Sequence, residues 1–108
     1  KLYFKKFKAQ VENGDVFKGQ IKGYNVVATF ANYAVGELAH FLIKKYNADI
    51  GVVVNTGAKT VSFRRSKLSD VDVSILAKNL CQGGGHASSA GGKLTEQFAN
   101  LAKQFKPC

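Results

Sequence analysis

Methionine is absent from all 108 residues, position 1 included, so the sequence is expected to be a piece of a longer protein. Proline is almost as scarce: Pro107 stands alone, and no Pro/Ser-rich stretch marks a linker. The two cysteines, Cys81 and Cys108, have neither metal nor redox spacing. With one of them at the very end, free thiols in a reducing cytoplasm are expected rather than a structural disulfide. No apolar run approaches the roughly 18 to 20 residues that span a bilayer. The start, KLYFKKFKAQ, lacks the apolar core of a signal peptide, so neither export nor membrane association is expected. Acidic residues are few, 7 against 16 Lys+Arg, giving a net charge of +9. Such an excess favours polyanionic partners over a neutral surface. The basic residues are spread along the chain without a lysine-rich tail, which suits a folded surface.

What is present is ordinary for one globular domain: 45% hydrophobic and 21% charged residues, without an internal repeat. Asn13-Gly14, flanked by Val11 and Val16-Phe17, predicts a short hairpin in the first 23 residues. Residues 24–30 (YNVVATF) are rich in β-branched and aromatic types and read as a buried strand. In VGELAHFLIKKYN, Val35, Leu38, Ala39, Leu42, Ile43 and Tyr46 fall on one helical face, with Asn32 a candidate cap. DIGVVVN is a second buried strand, so a βαβ unit with two parallel strands and a right-handed crossover is predicted.

Residues 56–59 turn the chain into KTVSFRR, an antiparallel neighbour. Asp72 is the expected N-cap of a helix with Val73, Leu76, Ala77 and Leu80 inward. SAGGKL reads as a short strand. Thr95 caps a last helix with Phe98, Leu101, Ala102 and Phe105 inward, and Pro107 is expected to end it. The fold class is α/β, a mixed β-sheet containing the βαβ unit and flanked by about three helices.

The densest chemistry lies in CQGGGHASSAGG, residues 81–92, where five of twelve residues are glycine around His86. Gly83 follows a helix, where glycine often closes a left-handed cap, but that does not account for Gly84, Gly85, Gly91 and Gly92. The stretch follows a helix rather than a strand and lacks a Lys-Ser/Thr ending, which excludes the P-loop and the dinucleotide fingerprint. Its physics still suits phosphate. Bare backbone N–H groups can form an anion-binding concavity, and an imidazole can donate to a phosphate oxygen. Asp70 and Asp72 superficially form a metal-binding pair, but they sit where a helix starts and read as capping residues. His40 lies off the apolar face of its helix and reads as solvated.

GGGHASSAGG resembles the G-G-G-H-x-x-A-A-G signature of the DHH-associated domain, first subfamily, the C-terminal domain of DHH-family phosphoesterases. Ser89 stands in place of the usual first alanine. VSFRRSK (61–67) looks like the family's Ser-x-Arg-Ser strand, and DVDVSILAKNL looks like its helix leading to the glycines, so the resemblance covers roughly residues 24–94. It implies that an N-terminal DHH domain, covalently linked and absent from this sequence, holds manganese or another divalent metal and hydrolyses phosphodiesters or phosphoanhydrides. This chain would then bind substrate through Gly83, Gly84, Gly85 and His86, with Arg64 as a bidentate guanidinium and Ser62 beside it, and would hold no metal or catalytic residue. Arg65 replaces the family's second serine. Adjacent residues on a strand face opposite ways, so either Arg64 or Arg65 points at the ligand, with Arg64 favoured by position.

The expected ligands are phosphorylated nucleotides, short oligonucleotides or cyclic dinucleotides. The alternative is an RNA-binding module with Lys5, Lys6, Lys8, Lys44 and Lys45 tracking a longer backbone, since a related domain occurs in alanyl-tRNA synthetases. A purely structural or dimerising domain would leave His86 without a role.

Overall fold

The structure, a computed structural model, describes Ala9 and residues 15–108. Residues 15–108 form β1 (Val16–Ile21), β2 (Tyr24–Phe30), α1 (Val35–Tyr46), β3 (Ile50–Asn55), β4 (Thr60–Arg65), α2 (Val73–Cys81), β5 (Gly84–His86), β6 (Ser89–Lys93), α3 (Glu96–Ala102) and β7 (Lys106–Pro107). The strands make one mixed sheet in the order β5-β6-β4-β3-β2-β1-β7. Every neighbouring pair is antiparallel except β2–β3, which is parallel and joined through α1. The predicted βαβ unit and the α/β class are what forms.

Strand alternation divides the apolar residues between two faces. On one face Val16, Val27 and Val53 pack against Leu38, Ala39 and Leu42 of α1. On the other, Val26, Val52, Val61 and Phe63 pack against Leu76, Ala77 and Cys81 of α2 and Phe98 of α3. Phe63 and Phe98, 0% and 2% exposed, meet edge to face with centroids 6.1 Å apart, a geometry that aligns ring edge with ring face. Both thiols are free; burial pushes that of Cys81 up to about 11.

The caps decide where two helices begin. Asp72 accepts from the Ser74 N–H and heads α2; the Thr95 hydroxyl accepts from the Phe98 N–H at 3.0 Å and heads α3. The same hydroxyl donates to the Leu80 carbonyl, tying the start of α3 to the end of α2. Thr95→Ala is therefore expected to lower unfolding free energy by about 1 to 2 kcal/mol, with Thr95→Ser keeping most of it, as read by denaturant titration.

The Asp72 carboxyl is held below its ordinary range, chiefly by the Ser74 hydroxyl, with burial opposing and the Ser74 and Ile75 N–H groups and Arg65 adding. A depressed folded pKa stabilises the fold above the unfolded pKa and loses that contribution as pH falls through the folded value. Asp72→Asn keeps a cap but cannot titrate. Melting curves from about pH 6 to about pH 2 should then show a shallower acid-side decline in the variant.

Two expectations need correction, the cap of α1 and the end of α3. Strands β1 and β2 form a hairpin that turns at Lys22-Gly23, where φ is 52° and 85° and Ile21 faces Tyr24; positive φ at both central residues is what a tight two-residue hairpin needs. The expected turn at Asn13-Gly14 lies outside the described residues. Asn32 does not cap α1: Ala34 occupies that place at φ 47°, without a side-chain cap. Pro107 does not end α3, which stops at Ala102, before Phe105. Pro107 instead pairs with Phe17 in β7, an edge strand, where a missing N–H is tolerated.

Candidate anion-binding site

The glycine-rich stretch is a bend followed by a strand. After α2, Gln82 rather than Gly83 adopts the left-handed conformation (φ 53°), and the Gly83 N–H donates to the Ala77 carbonyl. Gly84 to His86 then form β5, which pairs with β6 through the turn Ala87-Ser88. That turn is held from outside: the Ala87 carbonyl accepts from the first N–H of α2 (Val73), and the Ser88 carbonyl accepts from the Arg65 N–H.

Most of these glycines are there because backbone meets backbone. A β-carbon on Gly83 would stand 2.0 Å from the Gly91 carbonyl oxygen, and one on Gly92 would stand 2.5 Å from that of Cys81. Gly85, at φ 142°, would meet Ser89 and Ala90 at 2.7 to 2.8 Å. Gly84 differs, because nothing lies within 4 Å of where its β-carbon would be. The stretch is thus a packing device with one open position.

Strand register assembles the side chains. Arg64 lies opposite Ser89, and Ser89 opposite His86; one step along, Ser62 lies opposite Gly91, and Gly91 opposite Gly84. Directly opposed residues project to the same side of a sheet. Ser62, Arg64, Ser89 and His86 therefore share the face on which Val53 and Val27 meet α1. His86 is exposed, and Ser62, Arg64 and Ser89 are half-buried.

The Arg64 side chain reaches α1. Its Nη1 donates to the Phe63 carbonyl at 3.0 Å, and a β-carbon at Gly36 would stand 3.4 Å from its Nη2. Glycine in the first turn of α1 thus leaves the guanidinium room beside the helix. Arg65 faces the opposite way and donates to the Val71 carbonyl at 3.1 Å. Of the two arginines, it is Arg64 that stands with Ser62 and His86.

His40 was expected to be a bystander. It is exposed, one helical turn beyond Gly36, yet its pKa is lowered by partial burial and then by the charges of Arg64 and Lys67, with Glu37 opposing. The i, i+4 spacing from Gly36 was the available signal, but nothing in the sequence placed Arg64 beside that helix. Asp70 and Asp72 form no metal pair: Asp70 accepts from the Tyr24 hydroxyl and Asp72 caps α2. Among the described residues no group of three or more His, Cys, Asp or Glu could hold a metal ion, and no helix is long and apolar enough to cross a membrane.

Three solved structures share the fold. An exopolyphosphatase-related protein from Bacteroides fragilis superposes with a TM-score of 0.63 at 14% identity over 92% of this chain and 32% of that one. A pGpG-specific phosphodiesterase from Vibrio cholerae gives 0.56 at 16% over 92% and 35%. The C-Ala domain of Aquifex aeolicus alanyl-tRNA synthetase gives 0.56 at 17% over 80% and 91%. The chain thus spans about a third of the first two proteins. No curated protein matches it in sequence. The DHHA1 domain matches residues 22–107, and the chain belongs to that family.

Proposed function

We propose that this chain is the substrate-gripping domain of a DHH-family phosphoesterase and binds phosphate at the Arg64–Ser89–His86 row. The observation that carries the reading is the juxtaposition of Arg64, His86, Ser62 and the open Gly84 on one face at one sheet edge. A guanidinium offers two parallel donors to a phosphate, and an imidazole N–H and a hydroxyl offer one each. Gly84 lets an oxygen approach the backbone without meeting a side chain. Gly83 and Gly85 contribute by shaping the strand that presents His86.

Hydrolysis belongs, in this reading, to a linked N-terminal DHH domain with manganese or another divalent metal. The described residues of this chain do not fit a metal site, and no catalytic step is assigned to them. The ligands are phosphorylated nucleotides or short oligonucleotides, met in the cytoplasm. Support comes from the family membership and from the phosphodiesterase and exopolyphosphatase-related proteins that share the fold.

The test is an amide NMR titration of the 108-residue chain with a 5′-phosphorylated dinucleotide. Shifts centred on residues 84–89 and Arg64 are expected, with no hydrolysis when manganese is added. Shifts centred elsewhere would defeat the proposal.

A further inference from the structure

Helix α1 lies along the Arg64 side chain. Gly51, which faces Arg64 in the neighbouring strand, sits beneath α1: a β-carbon there would stand 2.7 Å from the Ala39 carbonyl oxygen and 3.1 Å from Ile43. The guanidinium stands beside Gly36, nearer the start of the helix. Between those two levels, the residue that shares Gly36's side of α1 is His40, four positions on. The imidazole of His40 is thereby placed on the α1 side of Arg64, whereas His86 stands on the opposite side, beyond Ser89 at the sheet edge.

The surroundings of His40 are mostly cationic. Partial burial first, and then repulsion from Arg64 of β4 and from exposed Lys67 just after it, hold its pKa below the ordinary value. Glu37, one turn earlier, opposes. Lys44, one turn later, is exposed. Strands β2 and β3 place Val27, Gly51 and Val53 beneath α1, and none of them carries charge.

An anion seated on Arg64 reverses that balance. It cancels the charge that repels the imidazolium and offers the ring N–H an acceptor, so proton and anion favour each other. The coupling is reciprocal: whatever factor the anion adds to proton affinity, the proton adds to anion affinity.

We propose that His40 is a further ligand-binding residue of the Arg64–His86 site, one that takes up a proton as the phosphate binds. This role rests on the phosphate reading of that site and adds to it a pH dependence carried by the helix.

The test follows the ring signals of His40 by NMR from about pH 5 to about pH 8. It compares the free 108-residue chain with the chain saturated with a 5′-phosphorylated dinucleotide. The chain has two histidines, so His40→Gln assigns the signals of both. His40 is exposed, and the variant should melt as wild type does.

The midpoint of His40 is expected to rise by about one unit on saturation, equivalent to a coupling of about tenfold. Wild type should accordingly bind the dinucleotide about tenfold more tightly than His40→Gln at about pH 5, and equally at about pH 8. Taking that ratio at each pH removes the titration of the ligand's own phosphate, whose second pKa is about 6. Lys67→Gln should raise the midpoint in the free chain, because a repelling charge is gone. Amide shifts at Arg64 and His86 with an unmoved His40 midpoint, and with the same affinity ratio at every pH, would overturn the role of His40 and leave the phosphate reading standing. The absence of dinucleotide-induced shifts at both Arg64 and His86 would overturn both.

Discussion

His86→Ala is expected to weaken binding of a 5′-phosphorylated dinucleotide about tenfold or more, because a hydrogen bond to a charged group contributes about 1.5 to 3 kcal/mol. Isothermal titration calorimetry is the measurement, since an imidazole N–H donates to a phosphate oxygen. The side chain is exposed at the end of β5, so its removal should leave the melting temperature unchanged. Arg64→Lys should cost at least as much affinity despite keeping the charge. An ammonium is a point donor and loses the paired geometry of the guanidinium. Lysine would also give up the bond to the Phe63 carbonyl beside Gly36. Full affinity in both variants would remove the phosphate reading of this row and leave the glycine stretch as architecture alone.

The second large effect separates two neighbouring glycines. Gly83→Ala should destabilise the fold by about 3 kcal/mol or more, since overpacking against unyielding backbone costs roughly 1 to 3 kcal/mol or more where nothing can move aside. The obstacle is the Gly91 carbonyl, 2.0 Å from the new carbon, in a strand held on both sides. Gly84→Ala meets nothing within 4 Å, so its stability should stay within about 0.5 kcal/mol of wild type, as for other surface changes. Its effect should appear in dinucleotide affinity, where a methyl group intrudes on the approach to the backbone. Denaturant titrations of both variants check the first half, and calorimetric titration of Gly84→Ala checks the second. Equal stability of the two variants would contradict the register of β5 on β6.

Much of this fold is legible in the residues because local signals agree with the tertiary outcome. The run Tyr24–Phe30 is a strand end to end, and Leu38, Ala39, Leu42 and Ile43 are the buried face that their spacing predicts. Asp72 and Thr95 cap as their types suggest. The failures share a cause: tertiary context overrode a stronger local signal. Asn32 looks like the cap of α1, yet Ala34 takes that place. Pro107 looks like a stop signal, yet it closes the far edge of the sheet. The site was legible in kind but not in arrangement. The alternation of Val61 and Phe63 with Ser62 and Arg64 already separates Arg64 from Arg65, but only the register of three strands puts Ser89 and His86 in line with Arg64. The crowding around Gly83 and Gly92 is likewise a property of the packed strands, hidden in a sequence that shows only an abundance of glycine.

The anchoring of the Ala87-Ser88 turn has an entropic consequence. Its two carbonyls receive the Val73 and Arg65 N–H groups, so the tip next to His86 is bound to the head of α2 and the end of β4. A glycine-rich hairpin held only by its own ladder would sample many shapes, and a ligand would have to freeze them at the cost of affinity. Here that ordering is completed when the domain folds. The amides of Val73 and Arg65 should consequently exchange with solvent at the same slow rate with or without nucleotide, the signature of a rigid shelf rather than a closing clamp.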